Sequence, residues 1–109
     1  MRQAKILFKD EEAGILTQDD TGFFTFRYHD SWLTDSNKPS ISLTLPKMAQ
    51  TFQSKFLFPF FYHLLPEGTN KQFVSKCNRI DQNDDFGLLM TTAKYDSIGA
   101  INVIKIDNP

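Results

Sequence analysis

Alternation of apolar and polar positions divides the chain into a strand-rich first half, a helical middle and a closing strand. Ala4 to Phe8 alternates with Lys5 and Lys9 and reads as a first strand. The acidic Asp10-Glu11-Glu12 turn leads into Ala13-Gly14-Ile15-Leu16-Thr17, a second strand paired with the first as a hairpin. Asp19-Asp20-Thr21-Gly22 is a strong turn, because Asp and Gly tolerate the backbone angles that turns require. Phe24, Phe26 and Tyr28 then share one face of a third strand, with Phe23, Thr25 and Arg27 opposite. The His29–Pro39 stretch reads as a loop with one helical turn around Trp32. Ser40 to Leu45 has the cleanest alternation in the chain: Ile41, Leu43 and Leu45 inward, Ser40, Ser42 and Thr44 outward, ended by Pro46.

A 3.6-residue period takes over near Phe56. Leu57, Phe60, Phe61, Leu64 and Leu65 fall on one stripe, with Phe58 and Tyr62 off it and Pro59 tolerable only in the first turn. So aromatic a helix must be covered on more than one side, by its own sheet or by a partner. It runs into Pro66-Glu67-Gly68-Thr69-Asn70, read either as a helix–helix connection using Gly68 for a positive φ or as a polar tip projecting into a neighbour. Thr69 or Asn70 caps a second helix with Phe73, Val74 and Cys77 on one face. Asn83 caps a third, with Asp84 and Asp85 in its first turn and Phe86, Leu89, Met90 and Ala93 inward. Ala100 to Ile106 is the last strand. Strands, then helices, then one strand predict an α+β fold: a mostly antiparallel sheet of about five strands with about three helices packed on it.

Composition narrows the chemistry. The 109 residues fit a single domain, 1–109, and a net charge of -1 gives no electrostatic reason for direct nucleic-acid binding. One cysteine, Cys77, forms neither an internal disulfide nor a metal site, which suits a reducing compartment. Ile6-Leu7-Phe8 is too short for a signal-peptide core or a membrane span, so the expectation is a cytoplasmic chain with no membrane partner. The 11 phenylalanines, five of them between Phe52 and Phe61, fit either a small core made of bulky side chains or a surface shared with another protein.

Catalytic signatures are weak. Asp85-Phe86-Gly87 spells the magnesium-binding triplet of protein kinases, but no Gly-rich loop, strand lysine or catalytic His-Arg-Asp accompanies it. In the first turn of a helix, Asp85 suits the dipole and Phe86 the core. The two histidines, His29 and His63, have no second ligand at metal spacing, and Ser31, Ser36 and Ser97 have no nucleophile setting. No catalytic group, metal or cofactor is expected, and the chain alone is not expected to be an enzyme. Trp32 reads as a core anchor in preference to an exposed contact.

Several stretches, taken in order, resemble the N-terminal subdomain of HipA-type toxin kinases: Gly14-Ile15-Leu16-Thr17, Phe26-Arg27-Tyr28, Trp32-Leu33, Pro39-Ser40-Ile41-Ser42-Leu43, Phe58 through Gly68, Asp85 through Leu89, and Asp96-Ser97-Ile98-Gly99-Ala100. Leu64-Leu65-Pro66-Glu67-Gly68 is the most specific of them. In those kinases the subdomain runs on into the catalytic part, whereas this chain reaches Pro109 just after its last predicted strand. It is therefore similar to the stand-alone HipS-type antitoxins of tripartite HipBST systems. That resemblance implies two partners: a HipT-like Ser/Thr kinase toxin, and a HipB-like helix-turn-helix protein through which DNA is touched only indirectly. It implies that Tyr62, His63, Pro66, Glu67, Gly68, Thr69 and Asn70 meet the kinase. One position departs: HipS-type antitoxins commonly carry a Trp after Pro-Glu-Gly that plugs the kinase active site, and Thr69 here cannot fill an aromatic-sized pocket.

Overall fold

The computed structural model describes residues 2–42, 44–63, 65, 72, 75–77, 79–81, 84–92 and 101–106. β1 (Arg2–Phe8) and β2 (Glu11–Gln18) form a hairpin whose two-residue turn, Lys9 (φ 49°) and Asp10 (φ 67°), has both residues left-handed. Such a turn matches the right-handed twist of the strands it joins. Glu11 and Glu12 already belong to β2, opposite Phe8 and Leu7, so the turn is shorter than the Asp10-Glu11-Glu12 expected. The register shifts between Ile6 and Leu7, and the displaced Ala13 offers its carbonyl to the His29 N–H at 2.9 Å.

The second turn behaves as its residues dictate. Asp19 Oδ1 accepts from the backbone N–H of Thr21 (2.9 Å) and of Phe23 (3.0 Å), and Gly22 takes φ 89°. β3 (Phe24–Tyr28) follows, and its three alternate aromatics are all buried, as the period-two pattern predicts. β4 (Thr51–Ser54) pairs with β3, and β5 (Ile101–Lys105) pairs with β1 at the opposite side. The sheet order is β4-β3-β2-β1-β5, antiparallel throughout, with α1 (Asp30–Thr34), α2 (Pro59–Tyr62) and α3 (Asp85–Thr92) completing an α+β fold.

The core lies on one sheet face. Ala4, Ile6, Leu16, Phe26, Tyr28 and Val103 are fully buried there, together with Phe61 of α2 and Phe86, Leu88 and Leu89 of α3. Phe24 meets Phe86 at 5.9 Å between ring centroids, and Phe26 meets Phe61 at 5.8 Å. These two ring contacts seat the helices on β3.

Two elements differ from expectation. Ser40–Leu45 is not a sheet strand: among its described residues the only ladder contact is the bridge Ser42↔Leu45, although Ile41 and Leu45 are buried as predicted. Side chains take the backbone groups that a ladder would need. The Tyr28 hydroxyl donates to the Leu45 carbonyl and accepts from the Ile41 N–H at 3.1 Å, while Ser40 Oγ accepts from Lys47 N–H at 2.9 Å. The fourth strand of the sheet comes instead from Thr51–Ser54, within what reads as an irregular connection.

The aromatic helix is also shorter than its apolar period suggests. Pro59 occupies its first position and Phe58 precedes it with ψ 139°, because a residue before proline is driven from helical into extended backbone. Phe56 and Leu57 therefore lie outside the helix, and Phe58, off the predicted stripe, is buried.

In the predicted second helix, Ser75 is buried and Cys77 exposed, the reverse of the expected Cys77-inward face; its caps Thr69 and Asn70 lie outside the described residues, as do Phe73 and Val74. The third helix starts one residue later than Asn83 would place it. Asp84 is its cap, accepting from the Gly87 N–H at 3.2 Å. Asn83 and Ala93 lie outside the described residues.

Candidate partner-binding surface

Of the expected partner contacts, Tyr62 and His63 are described, and they lie at the end of the stretch from Met48 to His63. Phe61 is the inward anchor of α2; Phe58 and Phe60 pack edge-on against it at 6.3 and 5.2 Å. The opposite side of the same stretch faces out. Tyr62 is 49% exposed and Phe56 77%, and Met48 ahead of β4 is 92% exposed. These three are the exposed large hydrophobics among the described residues. The crowded aromatics thus divide: Phe58 and Phe61 in the core, Phe52 and Phe60 partly buried, Phe56 at the surface.

His63 ends α2, its N–H donating to the Pro59 carbonyl at 3.0 Å, and its side chain is exposed beside Tyr62. Leu65 turns back into the core. Tyr62 and His63 therefore stand at the surface where the chain heads toward the polar segment. Pro66, Glu67, Gly68, Thr69 and Asn70, the remaining expected contact residues, lie outside the described residues.

Charge is uneven along the chain in a way that periodicity does not reveal. The 13 carboxylate residues leave a gap from Ser36 through Pro66, in which the only ionised side chains are Lys38, Lys47 and Lys55. Lys38 pairs with Glu11, and Lys47 Nζ is held by the carbonyls of Asp35 and Lys38 at 2.6 Å each. Lys55 is exposed and makes no ion pair among the described residues. Met48, Lys55 and β4 fall on no apolar stripe, and in the sequence only the carboxylate gap sets them apart.

The remaining chemistry-bearing residues have structural work. Trp32 is 3% exposed, packs edge-on to Phe8 at 5.8 Å and donates to the Pro39 carbonyl at 2.9 Å, so it is a core anchor. In Asp85-Phe86-Gly87, Asp85 lies in the first turn of α3 and Phe86 is fully buried. Arg2 grips Asp84 with two hydrogen bonds, at 2.9 and 2.8 Å, and lies 5.2 Å from the Phe86 ring centroid. Hydrogen bonding from Arg2 holds the Asp84 carboxyl below its ordinary value, and the Gly87 N–H adds to this against the opposing effect of burial. Burial pushes the Tyr28 phenol up. No group of three or more His, Cys, Asp or Glu suited to a metal occurs among the described residues, and no described helix is long and apolar enough to cross a membrane.

This antiparallel sheet with helices on one face is the fold of a HipA N-terminal domain. The chain matches that family over residues 4–104 and belongs to it. The solved N-terminal domain of HipA toxin aligns with a TM-score of 0.74 at 30% identity, covering 100% of this chain and 96% of that one. An uncharacterized Haemophilus influenzae protein is 32% identical over 103 residues, 94% of this chain and 92% of that protein. A Sinorhizobium fredii protein named as a candidate kinase, Y4mE, is 37% identical over 76 residues, 70% of this chain. Of Y4mE itself the chain spans only 18%.

Proposed function

We propose that this chain is the antitoxin component of a tripartite HipBST-type system, binding and restraining a HipT-like Ser/Thr kinase toxin, with a HipB-like helix-turn-helix protein in the same assembly. One observation carries the reading. The same domain makes up nearly all of the Haemophilus relative but under a fifth of the kinase-named one. A domain that occurs both alone and beside a kinase is suited to rejoin that kinase as a separate chain. The outward Phe56 and Tyr62 support it, since exposed aromatics beside a well-packed core are the composition of interface centres. Tyr62, His63 and the Pro66–Asn70 segment form the contact, and no step of catalysis is assigned to this chain.

Co-purification of this chain with the HipT-like kinase of its own genome, followed by a phosphorylation assay, tests the proposal. The expected result is a stable complex with reduced phosphotransfer. Absence of association at micromolar concentrations rules it out.

Thr69 favours a second reading, in which the chain completes the kinase fold without blocking catalysis. A threonine offers a hydroxyl but not the bulk that fills an aromatic pocket. Kinase toxicity measured with and without the chain separates the two, because an accessory leaves toxicity intact.

A further inference from the structure

We infer that β4 is an open docking edge that takes up an extended segment of the kinase as a sixth strand, with a carboxylate of that segment placed at Lys55. The inference deepens the kinase-binding reading and rests on it. Its basis is the direction of the backbone groups. Tyr28 N–H donates to the Gln50 carbonyl at 2.9 Å, and the register continues Arg27↔Thr51, Phe26↔Phe52, Thr25↔Gln53 and Phe24↔Ser54. Antiparallel pairs alternate between bonded and non-bonded. Gln50, Phe52 and Ser54 therefore bond inward to β3, and Thr51 and Gln53 turn their N–H and C=O groups away from it. β4 ends the sheet order, both of these residues are exposed, and no described residue bonds the outer side of the strand.

An unpaired edge is ordinarily protected by a charge, a proline or a bulge within the strand. Thr51-Phe52-Gln53-Ser54 contains no charge or proline, and its register with β3 is unbroken. Instead it is bracketed by exposed apolar side chains, Met48 before it and Phe56 after it. Main-chain bonds to an added strand supply affinity, and flanking side chains supply specificity. Charge selects the occupant. A second copy of this chain, adding antiparallel across β4, would set Lys55 against the same stretch without carboxylates and leave it no counter-ion. An acidic, partly apolar segment of the kinase pairs that cation.

Amide hydrogen exchange on the isotope-labelled chain, free and bound to the HipT-like kinase, reads this directly. Thr51 and Gln53 amides exchange quickly in the free chain and slow by roughly tenfold or more in the complex. Gln53→Pro removes one outward N–H at a position where an edge strand accepts proline, and weakens the complex by roughly tenfold or more. Lys55→Glu weakens it several-fold, whereas Lys9→Glu, in the far hairpin turn, leaves it unchanged. A complex in which Thr51 and Gln53 exchange as fast as in the free chain overturns the docking edge and leaves kinase binding standing. Absence of any complex with the unaltered chain overturns both. Protection of the same amides in the concentrated chain alone puts a second copy on the edge and overturns the assignment to the kinase.

Discussion

The β1–β3 sheet and the Met48–His63 stretch draw on the same apolar side chains and use them differently. In β3 every second residue, Phe24, Phe26 and Tyr28, is buried, and the residues between them are not. In Met48–His63 the neighbours Leu57 and Phe58 are both buried, while Phe56 and Tyr62 point outward. A regular strand with one covered face sorts its side chains by position alone. The connection from β4 into α2 sorts them by local constraints, here Pro59 and the ring of Phe61. Hydrophobic content therefore reports the core in the first region and divides between core and exposed surface in the second.

The largest test of that division is Phe61→Ala. Phe61 is fully buried between Phe26, Phe58 and Phe60, so truncation should cost about 3–5 kcal/mol in urea unfolding. A loss below about 1 kcal/mol would mean that α2 is not part of the core and that the two regions do not share one.

The same division explains which elements the sequence made legible. Four of the five strands, the Asp19–Gly22 turn, the helical turn at Trp32 and the inward Phe86, Leu89 and Met90 follow from period and turn chemistry. Ser40–Leu45 misled because alternation records burial, and Ile41 and Leu45 are indeed buried. What alternation does not record is where the backbone hydrogen bonds go. That depended on the Tyr28 hydroxyl, a partner thirteen residues away from Ile41. The exposed side of Met48–His63 is legible only in part: Tyr62 and His63 end the helix that the apolar period marks, whereas Met48 and β4 carry no such period and stand out only by the missing carboxylates.

Tyr28→Phe sharpens the point at the junction of the two regions. The substitution keeps the ring but leaves the Ile41 N–H and the Leu45 carbonyl without their partner in a buried setting. A loss of about 1–3 kcal/mol is expected, measured by chemical denaturation. An unchanged midpoint would show that the Ser40–Leu45 segment is not tied to the sheet through this hydroxyl.

Asp84 offers a smaller, pH-dependent test on the sheet side, where Arg2 of β1 holds the start of α3. Its folded value lies below the ordinary 3.8, so the folded state binds the proton less readily than the unfolded chain does. The resulting stability is present above the ordinary value and is lost as pH falls through the folded one. Asparagine still caps a helix but forfeits the charge. Because both side chains are about a third exposed, Asp84→Asn should cost only about 0.5–1 kcal/mol at neutral pH. Its stability curve should merge with that of the unaltered chain in acid. Parallel curves down to the most acidic pH would show that the Arg2–Asp84 pair does not couple protonation to folding.

Phe56→Ala carries the smallest expected change in stability and the clearest distinction between the regions. At 77% exposed, the ring contributes little to folding, so the unfolding free energy should change by less than about 0.5 kcal/mol. Removing a large aromatic that a partner buries at the centre of an interface costs over about 1 kcal/mol of binding free energy. Phe61→Ala and Phe56→Ala should thus exchange roles, one read by denaturation and the other by affinity for the proposed kinase partner. If Phe56→Ala instead lowers stability as Phe61→Ala does, the outward side of the stretch belongs to the fold. If it alters neither quantity, the partner approaches from elsewhere, and the exposed aromatics have to be explained without an interface.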